Sequence, residues 1–321
     1  MQTARKRVEA LAREAVATHV LPHLGARGRD FEVTIPLYGR SSLVYLVDVA
    51  GGASFALRVE PSWQRYLAFR QRRRATLFWT RRGLPTPRLL YEDLSPLTRL
   101  KTGLFLLAEE RVEGGNVVDQ GPESGAFEAL GRALARVHAL TRSWHHGALF
   151  RPKLGGYAHH FRRRNRERSR ELEHAGVLTN TRRQKLDRWF ESFEPALRSL
   201  KVYSLIHRRC TESDVMFGVS GEASILEPYR SGFGVFATDL VRAEQRICRG
   251  DPDRIARLHE AYFAAAPAVF TTIYEQLAPA FRAELHLGHA RRWAGKNAGL
   301  AAETEKKCSA ELESLQRISG V

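Results

Sequence analysis

Apolar and polar residues alternate along 31–60, FEVTIPLYGRSSLVYLVDVAGGASFALRVE, which predicts strands joined by turns near Gly39 and at Gly51–Gly52. Ahead of them, MQTARKRVEALAREAVATHVLPHL has a helical apolar spacing. Glu9 and Glu14 interrupt it, so residues 1–30 read as a leading helix and not as a secretion signal. YLAFRQRRRATLFWTRR predicts a helix with Leu67, Ala75, Leu77 and Phe78 against the sheet and Arg70, Arg72, Arg73 and Arg74 in solvent. Gly83-Leu84-Pro85 stops that helix and opens a strand, and Leu104 to Ala108 form another strand. FEALGRALARVHAL, from Phe127 to Leu140, is an amphipathic helix on which His138 reads as structural. A basic helical stretch covers 158–188, and the chain is helical after Asp239, ending in a polar surface helix over Ala301–Ile318.

Composition narrows the classes. With 321 residues and 43% hydrophobic content the chain is long and apolar enough for two packed lobes. No apolar run approaches the roughly 18 to 20 residues of a membrane span. Three scattered cysteines, Cys210, Cys248 and Cys308, lack metal-ligand spacing and suit a reducing cytoplasm. The formal charge of +16 is Arg-heavy. It favours anionic partners: a nucleotide or other small anion, a nucleic acid, or an anionic membrane face. Arg162, Arg163, Arg164, Arg166, Arg168 and Arg170 form the densest block. Such a run covers several faces of a helix, so most of it reads as solvated.

Candidate chemistry concentrates between 205 and 240. An apolar strand ends at His207; Asp214 follows seven residues later and precedes Val215-Met216-Phe217. A turn at Gly218–Gly221 leads to Ile225-Leu226, which ends on Glu227, and Gly234 and Asp239 lie seven and twelve residues further on. This frame resembles the catalytic segment of the aminoglycoside phosphotransferase-like branch of the protein-kinase fold. The Gly-Leu-Pro junction, the 109–114 stretch and the Phe127–Leu140 helix continue the resemblance over 31–250. It implies an α+β, two-lobe fold, with a small antiparallel-sheet N-lobe over 31–108, a hinge over 109–114 and a mainly helical C-lobe over 115–321.

In that family a His-Gly-Asp acid accepts the proton of the attacking hydroxyl, and an Asn and a second Asp hold magnesium on the ATP phosphates. Here Arg209 stands at the first acid, Asp214 at the Asn and Glu227 at the metal-binding Asp, while His207, Gly234 and Asp239 are retained, the last two in structural roles. Arginine stays charged and accepts no proton. The resemblance places Gly39, Ser41 and Ser42 in a phosphate-covering loop, although those residues alone describe a plain hairpin. It puts Arg58 where the family has a phosphate-touching Lys, and the backbone of Glu110 and Val112 against adenine. From Pro61 to Tyr91 there is no acid to pair with Arg58. An arginine facing it would repel it unless an anion lay between them.

Three readings follow. The first is a pseudokinase that binds a nucleotide or small anionic ligand. In it Asp214 and Glu227 hold a divalent cation or, more readily, form ion pairs with Arg209 and Arg230. The second is an active ATP- and magnesium-dependent phosphotransferase of the sugar or lipopolysaccharide-core type, with Arg209 steadying the transferred group and Glu212 or Asp214 as base. The third is a polyanion-binding protein, whose basic runs lack interleaved aromatics.

Overall fold

The structure, a computed structural model, describes residues 2–35, 43–52, 54–148, 151–152, 155–294 and 301–320. Its elements run α1 (Gln2–Ala15), a π-turn, α2 (Leu21–His23), β1 (Phe31–Thr34), β2 (Leu43–Val49), β3 (Phe55–Glu60), α3 (Tyr66–Thr80), β4 (Leu89–Asp93), α4 (Pro96–Thr102), β5 (Phe105–Glu110), β6 (Gly114–Asn116) and α5 (Ala126–His138). Next come β7 (Thr141–Arg142), β8 (His146–Ala148), β9 (Arg151–Pro152), α6 (Tyr157–His174), α7 (Asn180–Glu191), α8 (Glu194–Ser199), β10 (Tyr203–Ile206), β11 (Val215–Gly218), β12 (Ala223–Ile225) and β13 (Gly232–Gly234). The chain finishes with α9 (Ala237–Arg246), α10 (Pro252–Ala265), α11 (Val269–Ala294) and α12 (Ala301–Ser319).

Two compact units result, Met1–Ala133 with Thr211–Ser231, and Leu134–Cys210 with Gly232–Val321. The first unit thus takes in more than the expected 31–108. Its extra piece is the β11–β12 hairpin, which pairs antiparallel with β6 (Met216 opposite Asn116, Gly218 opposite Gly114) and so joins the segment it bonds to. Gly114 makes that pairing possible: at φ +145°, a Cβ there would stand 2.0 Å from the Phe217 carbonyl oxygen.

In the first unit an antiparallel sheet runs β1-β2-β3-β5-β4. The period-two pattern sorts its faces. Tyr45, Val47, Phe55, Leu57, Val59, Leu106 and Ala108 pack with Ala12, Ala15, Val16, Val20 and Leu21, so the leading helix is part of the core. On the opposite face Phe105 and Leu107 pack with Phe69 of α3. The buried stripe of α3 is Phe69, Arg72, Ala75, Thr76 and Trp79. Leu67, expected on the sheet side, is 73% exposed. Arg72, expected in solvent, is buried.

The second unit is mostly helical. Its small sheet has β10 between β13 and β7, and α6 meets α11 through Phe161 and Phe281, whose ring centroids are 5.3 Å apart. The C-terminal α12 is not merely a surface helix. Cys308 and Leu315 are buried, and Glu311 reaches His286 and His289 of α11 at 2.6 and 3.1 Å.

Candidate functional site

The face of the first unit's sheet that looks toward α3 carries charge as well as apolar residues. Arg58 stands one register from Leu57 on β3, so its side chain leaves the core face, and it is only 7% exposed. Its Nε donates to Glu109 Oε2 and its Nη1 to Glu227 Oε1, both at 2.6 Å. Arg72 Nη1 lies 2.6 Å from the same Glu227 oxygen, and its guanidinium sits 4.3 Å from the centre of the Tyr229 ring. Thr76 donates to Glu109 Oε1 at 3.3 Å. The carboxylate missing from α3 is therefore supplied by β5. The anion required between two facing arginines is Glu227.

Burial works to pull the Arg58 guanidinium down, but Glu109 and Glu227 outweigh it and leave it above its ordinary value. Glu227 itself adopts the left-handed conformation, φ 59° and ψ 45°. A non-glycine residue there costs about 1–2 kcal/mol. The neighbouring backbone fixes the turn: Ile225 donates to the Pro85 carbonyl and Leu226 to that of Asp214, both at 2.7 Å. Glu227 thus pairs with Arg58 and Arg72, where Arg209 and Arg230 were expected. Arg230 instead donates to the Tyr229 hydroxyl at 2.6 Å.

A cavity of about 430 Å³ opens beside this lattice, within the first unit. Val44, Leu46, Ala56, Met216 and Leu226 supply apolar lining, and Asp48, Arg58, Arg111, Ser213 and Asp214 supply polar lining. Glu110 and Val112 border it. The Glu110 N–H is used by the Arg88 carbonyl at 2.8 Å, and its carboxylate takes the Arg88 Nε at 2.6 Å, which holds it below the usual carboxylate range. Among the described residues no hydrogen bond is found for the Val112 backbone, which leaves one donor and one acceptor at the cavity edge. Asp48 pairs with Arg111 and accepts from Ser54 at 2.8 Å, the Ser54 bond doing most to lower it. Gly39, Ser41 and Ser42 lie outside the described residues.

The remaining candidates divide between the two units. Asp214 Oδ2 accepts from Thr211 N at 3.1 Å and Thr211 Oγ1 at 2.6 Å, a capping box that closes the turn before β11. Glu212 is exposed, and its carbonyl accepts from the Asn116 side chain. In the second unit, Asp239 is fully buried and accepts from the backbone N–H of His207 and, at 2.9 Å, of Arg208. Burial opposes its charged form, but His138 and His207 hold it below the usual range. Arg208 turns at φ 69°, where the resembling family has glycine, and Arg209 is exposed. A Cβ on Gly234 would come within 2.7 Å of Ile206 Cδ1.

Magnesium would need Asp214 and Glu227 as oxygen ligands. Glu227 Oε1 already serves two guanidiniums, and a divalent ion would bring a third cationic centre to one carboxylate. One oxygen of Glu227 is therefore already committed to cationic partners. Among the described residues no group of three His, Cys, Asp or Glu side chains is arranged to hold a metal, and no helix is long and apolar enough to cross a membrane. Sequence reasoning missed Glu109 and Arg72. Their signals were present in the alternation Phe105, Leu107, Glu109 and the spacing Phe69, Arg72, Thr76, Trp79.

Comparison with known proteins agrees with this architecture. The model of the phosphotransferase enzyme family matches residues 32–279. No curated protein sequence matches the chain significantly. Among solved structures, a putative fructosamine-3-kinase from Thermobifida fusca YX-ER1 is similar at 16% identity and a TM-score of 0.61, over 94% of this chain and 99% of that one. A putative fructosamine-3-kinase from Haemophilus somnus 129PT shows 13% identity and 0.59, over 92% and 96%. A thermostable mutant of aminoglycoside phosphotransferase APH(4)-Ia, in a ternary complex with ADP and hygromycin B, shows 12% and 0.60, over 95% and 98%. Small antiparallel sheets in one unit and mainly helices in the other make this the protein-kinase-like, two-lobe fold.

Proposed function

The chain belongs to the phosphotransferase enzyme family, and on that premise we propose that it is a nucleotide-binding member in which phosphoryl transfer is impaired. The observation that carries this reading is the clamp on Glu227. One oxygen of the side chain that would hold magnesium is shared by Arg58 and Arg72. Arg209, at the position of the proton acceptor, adds to it, since loss of a general base costs about 10²–10⁴-fold in rate.

The cavity lining suits the adenosine part of a nucleotide. Val44, Ala56, Met216 and Leu226 offer apolar contact to a flat ring, and the Val112 backbone offers a donor and an acceptor to its edge. ATP would bring a transferable phosphoryl group; here Arg209 stands at the position of the base, and Glu227, at that of the metal ligand, is shared by two arginines. Its phosphates find Arg58 and Arg111 already paired with Glu109, Glu227 and Asp48. Affinity should come from the ring and little from the phosphates. The relative bound to ADP supports a nucleotide in this fold.

Thermal unfolding with adenosine, ADP and ATP, each with magnesium and with chelator, tests the proposal. Adenosine and ADP are expected to stabilise to similar extents, with no magnesium dependence and no ATP turnover. Indifference to all three ligands, strong magnesium-dependent binding of ATP, or labelling of any acceptor by the wild type would overturn it. Arg209→Asp asks in addition whether restoring the acid restores turnover; the shared Glu227 predicts that it does not.

A further inference from the structure

Away from that cavity, the second unit gathers arginines from three helices around one carboxylate. Arg164 and Arg168, one turn apart on α6, both reach Glu284 Oε1 of α11, at 2.5 and 3.1 Å. Arg242 comes from α9. Among the described residues its guanidinium has no hydrogen bond or ion pair, and its Nε is buried. A small cavity of about 80 Å³ is lined by Arg168, Arg242, Glu284, Gly288, His289 and Arg292, with Arg292 exposed at the rim.

The charges do not balance. Three guanidiniums line the cavity, and its one carboxylate is already shared by Arg164 and Arg168. His289 is turned away, its two ring nitrogens meeting Arg246 and Glu311 at 2.9 and 3.1 Å. Burial holds Arg242 below its ordinary value, with Glu284 and Asp239 offsetting only part of this, and burial followed by Arg164 does the same to Arg208 on the nearby loop. A buried N–H left without an acceptor costs about 1–3 kcal/mol, more when charged. A tetrahedral oxyanion in the cavity would satisfy it, since guanidinium and phosphate match in geometry as well as charge.

We propose that the cavity formed by Arg168, Arg242 and Arg292 is an oxyanion site that takes a phosphate-class group, either the free ion or the phosphate of a phosphomonoester. The space holds one such group, so the organic part of a monoester would remain outside it. This site lies wholly within the second unit and stands independently of the nucleotide reading.

The test is thermal unfolding of the full chain titrated with inorganic phosphate against chloride of equal ionic strength, for wild type, Arg242→Gln and Arg292→Gln. Wild type should be stabilised by phosphate. Arg242→Gln should weaken the apparent affinity by roughly tenfold, and Arg292→Gln, at the exposed rim where folding is not at risk, by a few-fold. Absence of a phosphate-specific shift in wild type, or equal affinity in wild type and Arg292→Gln, overturns the site. Glucose 6-phosphate separates the two sources: a response larger than phosphate supports a monoester, a smaller one supports the free ion. Adenosine, which has no phosphate, reports on the other cavity. Its response should be unchanged in both variants, so its failure counts against the nucleotide reading alone.

Discussion

At the scale of single residues, the arrangement turns on Glu227. Its carboxylate lies between two guanidiniums that are each 8% exposed, and among the described residues no other acid reaches Arg72. Removing one member of a buried ion network leaves the rest uncompensated, which costs more than the network is worth when intact. We expect Glu227→Gln to destabilise the protein by about 3 kcal/mol, measured by urea unfolding. Arg72→Met combined with Glu227→Gln should recover part of that loss, because it removes the second facing cation. If the double variant is as unstable as the two single losses added together, the charges are not coupled as described. Arginine in an amphipathic pattern is ordinarily a solvent residue, whereas Arg72 shares the buried stripe of α3 with Phe69, Ala75, Thr76 and Trp79 because Glu227 meets it there.

Among elements, the docking of α12 on α11 is the contact that the sequence did not reveal. The Glu-rich, Lys-rich start of that tail reads as surface, yet Glu311 inserts between His286 and His289. Burial opposes the charged form of Glu311, but its hydrogen bonds to the two histidines bring it down to about 2. Burial also lowers His289, with Arg246 and Arg292 acting in the same direction and Glu311 against them. A carboxylate whose folded value is depressed contributes stability that is present above its unfolded value and is lost as pH falls toward the folded one. The α11–α12 contact should therefore hold at neutral pH and weaken between about pH 4.5 and 2. Hydrogen exchange in α12 would report this as loss of protection on acidification, and Glu311→Gln should show the loosened state already at pH 7. Protection that stays constant across that range would contradict the assignment.

For the whole molecule, charge is the quantity most easily misread. The +16 excess suggested a solvated or polyanion-binding surface, yet much of the α6 block is committed: Arg162 to Glu194, Arg163 to Glu167, Arg166 to Glu191, and Arg164 and Arg168 to Glu284. The acids pay for this in pH range. Asp239, Glu244 and Glu284 are buried and held below their ordinary values by cationic and hydrogen-bonding neighbours that outweigh burial. Unfolding in acid then takes up protons, so stability should be level from about pH 6 to 8 and fall steeply below about pH 4.5. Urea midpoints across that range test this; a midpoint that is flat down to pH 3 would show that these groups are not depressed together.

What the sequence determined by itself is whatever depends on local spacing. Period two predicted the strand that carries Arg58, although β3 runs on through Glu60; Gly83 and Pro85 marked a helix-to-strand junction, and the order from His207 to Asp239 carried the likeness to the kinase fold, because strands, turns and helix faces are written in neighbouring residues. Only the tertiary structure decided which charges meet. Glu109, Arg72 and Glu227 are separated by 37 to 155 positions, and so are Arg164, Arg242 and Glu284 at comparable range. A buried charge is tolerable only beside its partner, and that partner is chosen by packing rather than by sequence distance.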